Sequence, residues 1–239
     1  MRLNAIETGT GDRVVVLLHG MMGSAESWWR VAPLLVANGF RVIALDLPGH
    51  GCSPRDERCT VASAADAVVA TLAACAPDAA VHGIGHSYGG TVLAAVTERM
   101  PMGQVVYVDS ACAFEGGAEQ RALAEQYEHD RRNRRDPAWL LSSRPFYSAT
   151  DAEVEARAAE RFDPMTMASI SVGDDVAHEP GSGSILVRAE PSAFVSDSTA
   201  ARLRAAGVDV RDIPGAAHTI WYSHFEQFRA ALPEFFGST

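Results

Sequence analysis

The apolar positions of the chain fall into short uniform runs separated by longer periodic ones. Val14-Val15-Val16-Leu17-Leu18 has no polar face, so it predicts a strand covered on both sides, as in a parallel sheet flanked by helices. Further strands are predicted over residues 3–6, 41–45, 79–84 and 104–109. Helical patterns lie between them at residues 27–37, 61–76 and 90–99, the first stopped by Gly39 and the last by Pro101. Strand and helix in alternation imply parallel pairing with right-handed crossovers.

After Asp109 the pattern changes. Residues 112–183 contain helical stretches at 117–132, 137–141, 151–162 and 164–172 and no convincing strand, which predicts an inserted helical cap. The breaks at Ser142-Ser143-Arg144-Pro145 and Gly181-Ser182-Gly183 suit hinges. Alternation resumes with a strand at 184–189, a helix at 197–206, a strand at 208–213 and a closing helix at 225–236. The expectation is an α/β fold: a mostly parallel central sheet flanked by helices, its core from residues 1–111 and 184–239 and its cap, or lid, from 112–183.

Composition narrows the classes of partner. A chain of 239 residues that is 47% hydrophobic is long enough for one domain with a large core and an insertion. Its net charge of -10 argues against nucleic acid and anionic membranes as partners. No run reaches transmembrane length and no signal peptide is apparent, so a cytoplasmic location is expected. Cys52, Cys59, Cys75 and Cys112 lack C-x-x-C spacing and read as inert core residues in a reducing compartment.

The chemistry gathers at strand ends. Gly85-His86-Ser87-Tyr88-Gly89 sits between an apolar strand and a helix, a context in which the serine is held in a sharp, strained turn in front of a helix N-terminus. Ser87 is therefore the candidate nucleophile. His19-Gly20-Met21-Met22-Gly23 follows the strand at 14–18, and the Met21 and Tyr88 N–H groups could point together at an oxyanion. Asp46-Leu47-Pro48-Gly49-His50-Gly51 reads as a rigid loop in which Asp46 and His50 support the turn. His218 follows a late strand and falls on the same sheet edge as Ser87. His82, His86, His129, His178 and His224 read as structural or surface residues. Arg131-Arg132-Asn133-Arg134-Arg135 is read first as a solvated helix end, with recognition of a carboxylate or phosphate as the alternative.

Taken together, His19-Gly20, the Asp46 to Gly51 loop, the Ser87 pentapeptide and Gly215-Ala216-Ala217-His218 resemble the α/β-hydrolase superfamily over essentially the whole chain. The resemblance implies Ser87 as nucleophile, His218 as general base and the Met21 and Tyr88 amides as oxyanion donors. The family's usual acid position, just beyond the strand at 184–189, holds Ser192. Some relatives carry the acid after the strand that follows the elbow, so Asp109 is the first candidate, with Glu190 and then Asp197 as alternatives. The implied reaction is hydrolysis of a carboxylic ester, thioester or lactone of a hydrophobic small molecule through an acyl-enzyme, with no metal or other cofactor. A pocket walled by Trp139, Phe146, Tyr147, Phe162, Met165 and Met167 is expected. A lyase or cyclase, an acyltransferase and a ligand-binding receptor are the other functions this scaffold hosts.

Overall fold

A strand that is apolar on both faces needs two cores, and alternate residues of each central strand supply them. In the computed structural model, which describes residues 1–77 and 79–237, the first strands are β1 (Ala5–Thr8), β2 (Arg13–Leu18), β3 (Phe40–Leu45), β4 (Val81–His86) and β5 (Val105–Val108). They are followed by β6 (Ala113–Phe114), β7 (Val176–Ala177), β8 (Ile185–Glu190) and β9 (Asp209–Pro214). Seven of them make one sheet in the order β1-β3-β2-β4-β5-β8-β9. Only β1 runs antiparallel to its neighbour; the other pairings in this sheet are parallel.

Val14, Val16 and Leu18 of β2 point to one face, together with Ile43, Leu45 and Tyr107. Val15 and Leu17 point to the other, with Val42, Ala44, Val106 and Val108. The helices that cover these faces begin with α1 (Ala32–Ala37), α2 (Val61–Cys75) and α3 (Tyr88–Thr97). The segment between β5 and β8 supplies α4 (Gln120–Arg134), α5 (Pro137–Ser143), α6 (Ala149–Glu160) and α7 (Pro164–Ser169). Then come α8 (Asp197–Ala205), α9 (Ile220–Ser223), α10 (Phe225–Ala230) and α11 (Pro233–Phe236). Among the described residues no helix is long and apolar enough to cross a membrane.

Four details differ from the sequence-based expectation. The first strand starts two residues late, because Leu3 is buried and donates its N–H to Thr71 Oγ1 on α2 at 2.9 Å instead of entering the sheet. The helix expected over 27–37 divides into a 3-10 turn, Ala25–Trp28, capped by Ser24, and α1, which restarts with proline in its first turn. The closing helix breaks before Pro233, whose missing N–H and bulky ring cannot continue α10. The segment between β5 and β8 also holds a strand pair, in which Ala113 and Phe114 near its start pair with Ala177 and Val176 near its end. Cysteine placement is mixed as well. Cys59 and Cys112 are buried as expected, whereas Cys52 is exposed.

Candidate active site

Parallel strands end on a common edge, and the chain turns sharply there three times. At the end of β4, Ser87 has φ 50 and ψ -119, a conformation that costs a non-glycine residue free energy. The turn holds because strand and helix are almost in contact around it. A Cβ on Gly85 would lie 2.5 Å from the Gly89 carbonyl oxygen, and one on Gly89 would lie 2.3 Å from that of Leu18. The Ser87 N–H donates to Val108 O at 3.0 Å, and its own carbonyl accepts from Ser110 Oγ at 2.8 Å. Tyr88 opens α3, so its N–H belongs to the first turn, which has no intrahelical acceptor.

At the end of β5, Asp109 also has positive φ, 44, and its side chain is buried. Its Oδ1 accepts the Ala189 N–H at 3.2 Å, and its Oδ2 lies 2.7 Å from His218 Nδ1. By sequence, Asp109, Glu190 and Asp197 are all candidates for the acid. The geometry brings Asp109 to the imidazole and turns the other two towards Arg188. Glu190 Oε1 lies 3.7 Å from Arg188 Nη2, and Asp197 Oδ1 lies 2.7 Å from its Nη1. Ser192 organises its own loop, accepting the N–H groups of Phe194 and Val195 at 3.0 and 2.9 Å. That turn lays Phe194 over His218, with ring centroids 3.9 Å apart. Nothing in the sequence marks this contact, because an aromatic residue in a polar loop has no periodicity to report it.

His86 packs against the other side of His218 at 4.5 Å between centroids and donates Nε2–H to the His218 carbonyl at 3.1 Å. Burial, and secondarily the charge His218 can carry, hold its pKa well below the ordinary histidine value. The imidazole of His218 thus sits between a neutral ring and a phenyl ring, with one face of its chemistry fixed by Asp109.

The loop after β2 is pinned by two more histidines. His19 Nε2 accepts the Leu47 N–H at 3.0 Å, and His50 Nε2 accepts the Met22 N–H at 3.3 Å, so the two strand-end loops bond each other reciprocally. Each ring donates its Nδ1–H to a local carbonyl, Gly20 O or Pro48 O, which fixes both as neutral tautomers. Burial lowers the pKa of both, strongly for His50. Asp46 supports the same region by accepting from the Ala25 and Cys52 N–H groups at 2.7 and 2.9 Å. With the Met22 and Gly23 amides bonded to His50 and Gly20 O, the Met21 N–H is left without an acceptor among the described residues.

Ser87, His218 and Met21 line one cavity of about 250 Å³. Its wall departs from the expected apolar one. Phe146 and Tyr147 take part, but Phe162 and Met167 are buried in the core, Phe162 against His50. Trp139 and Met165 do not line the cavity. Arg134, Arg144 and Glu155 do. The arginine cluster accordingly divides: Arg131 and Arg132 pair with Glu128 on the helix surface and Arg135 with Glu160, whereas Arg134 turns inward to Glu155 at 3.1 Å.

Known proteins place this fold. The chain matches the model of the alpha/beta hydrolase family over residues 15–231. The pimeloyl-[acyl-carrier protein] methyl ester esterase of Sodalis glossinidius is 43% identical over 94 residues, 39% of this chain and 34% of that protein. Polyneuridine aldehyde esterase of Rauvolfia serpentina is 36% identical over 88 residues, 36% of this chain and 33% of that one. The chain thus spans about a third of the length of these curated relatives. The crystal structure of a bromoperoxidase from Bacillus anthracis superposes with a TM-score of 0.76, covering 98% of this chain and 94% of that one at 21% identity, a likeness of fold. With the family match running through both halves of the sheet and the elbow between them, the chain belongs to the alpha/beta hydrolase family.

Proposed function

We propose that the protein is a serine hydrolase that cleaves a carboxylic ester, thioester or lactone of a small molecule through an acyl-enzyme on Ser87. The observation that carries this reading is the 2.7 Å contact of His218 with a buried Asp109, beside a serine on a strained elbow in the same cavity. Asp109 holds the proton on Nδ1 of His218, leaving Nε2 free to take the Ser87 proton as the hydroxyl attacks the carbonyl. The Met21 and Tyr88 N–H groups stabilise the tetrahedral oxyanion, each contributing roughly a hundredfold to a thousandfold in rate. His218 then returns the proton to the leaving group, and water repeats the sequence to release the acid and regenerate Ser87. The insertion of residues 112–183 acts as the cap of this site: Phe146 and Tyr147 close over the cavity, and Phe194 and Trp221 pack the substrate's apolar part from the core side.

Turnover of nitrophenyl butyrate by wild type and Ser87→Ala tests the scheme. Loss of Ser87 lowers kcat by about a millionfold if the serine is the nucleophile. A Ser87→Ala protein that hydrolyses the ester at a comparable rate overturns it.

A further inference from the structure

Two cations reach the cavity from different helices of the insertion. Arg134 is the last residue of α4, and Arg144 follows α5. Both line the space that holds Ser87 and His218. In a chain of net charge -10, an arginine turned inward needs a partner, and among the described residues the cavity lining holds one carboxylate for the two.

That carboxylate is Glu155, which is buried and already well occupied. Its Oε2 pairs with Arg134 Nη2 at 3.1 Å, and its Oε1 accepts from Ser27 Oγ and Tyr222 Oη at 2.8 and 3.0 Å. Arg134 Nε is buried and has no acceptor among the described residues. Arg144 has no carboxylate within 4.0 Å among the described residues; its guanidinium contacts Ser143 Oγ at 3.3 Å and lies over the rings of Trp139 and Tyr147. Burial, with the like charge of Arg134, pulls the Arg144 pKa down against the weaker attraction of Tyr147, Glu155 and Asp130. One positive charge on the wall is therefore uncompensated. A guanidinium fork is the group that binds a planar carboxylate through two parallel hydrogen bonds.

We infer that the substrate is a small ester, thioester or lactone that carries a carboxylate, bound by the Arg144 guanidinium beside the positive charge of Arg134, while its carbonyl sits at Ser87. This rests on the serine-hydrolase reading for the carbonyl and on the two arginines alone for the anion. The cavity of about 250 Å³ is small for a ligand site, which sets a limit on the part of the substrate that it encloses. A half-ester of a short dicarboxylic acid fits that limit.

The test is a ratio, which is insensitive to the fraction of protein that folds. kcat/KM is measured by proton release for monomethyl glutarate against methyl valerate, and for acetyl glycolate against propyl acetate, which places the carboxylate first on the acyl and then on the alcohol side. Wild type prefers the anion of at least one pair by about tenfold or more, chiefly through KM. Arg144→Gln lowers that ratio by about tenfold, Arg144→Glu lowers it further, and Arg144→Lys restores part of it. Ratios near one for both pairs, or a preference that survives Arg144→Gln, overturn the inference while leaving the hydrolase reading intact. A second measurement needs no turnover: Ser87→Ala titrated with glutarate and followed by tryptophan fluorescence, since Trp221 lines the cavity. Saturable binding that disappears with Arg144→Gln supports the anion site even if no ester is cleaved, an outcome that would count against the hydrolase reading alone. Absence of glutarate binding counts against the anion site.

Discussion

Asp109 accepts two hydrogen bonds from groups it cannot exchange: the Ala189 N–H on Oδ1 and His218 Nδ1–H on Oδ2. An asparagine at this position keeps its oxygen for Ala189 and turns its NH₂ towards His218. The imidazole must then present an unprotonated Nδ1, which puts the proton on Nε2 and leaves no base for Ser87. Asp109→Asn is therefore expected to lower kcat/KM for a simple ester by about a thousandfold to ten-thousandfold at neutral pH. Glu190→Gln, at a carboxylate that faces Arg188 and solvent, changes it less than about twofold. Equal effects of the two substitutions in a steady-state comparison would remove Asp109 from its role. Ser87 and His218 are legible from residue type and spacing, because a strand, a sharp turn and a helix leave a pattern in the chain. Phe194 and Arg144 are not. Their contacts depend on where a loop folds back, and no local pattern encodes that.

At the scale of elements, the strand ends are held by histidines whose charged forms burial disfavours in the folded protein. His19 and His50 bridge the loops after β2 and β3, and His86 backs His218. Burial lowers the folded pKa of all three, well below the ordinary value for His50 and His86. In the unfolded chain each titrates near about 6.5. Between that value and the lower folded one the unfolded chain binds more protons, so stability is complete above it and is lost as pH falls. Each such histidine adds a slope of up to about 1.4 kcal/mol per pH unit in that window. Urea melts at about pH 7.5 and about pH 5.5 should show the loss, and His50→Gln should reduce the slope by one proton. Stability that stays flat over this range contradicts the neutral-histidine arrangement. Most strand positions are legible to within two residues, since both-faces-apolar runs announce themselves. The β6–β7 ribbon is not, because a strand of two residues is too short to alternate.

At the scale of the molecule, the sheet makes neighbours of residues far apart in sequence. Ser87, Asp109 and His218 follow β4, β5 and β9, and parallel pairing brings those ends to one edge, with the Phe194 loop after β8 between them. The alternation of strands and helices makes that edge legible in the sequence; the lining of the cavity above it is not, because α4 and α6 turn charged residues, Arg134 and Glu155, inward as well as outward. The central claim is that Ser87 is activated by His218 across this edge. Its most direct test is the reaction of the protein with a fluorophosphonate, read by intact mass and peptide mapping. One adduct per chain on Ser87 is the expected result, absent in Ser87→Ala and slowed at least a hundredfold in His218→Ala. A wild-type protein that takes no adduct, or takes it at another residue, contradicts the account.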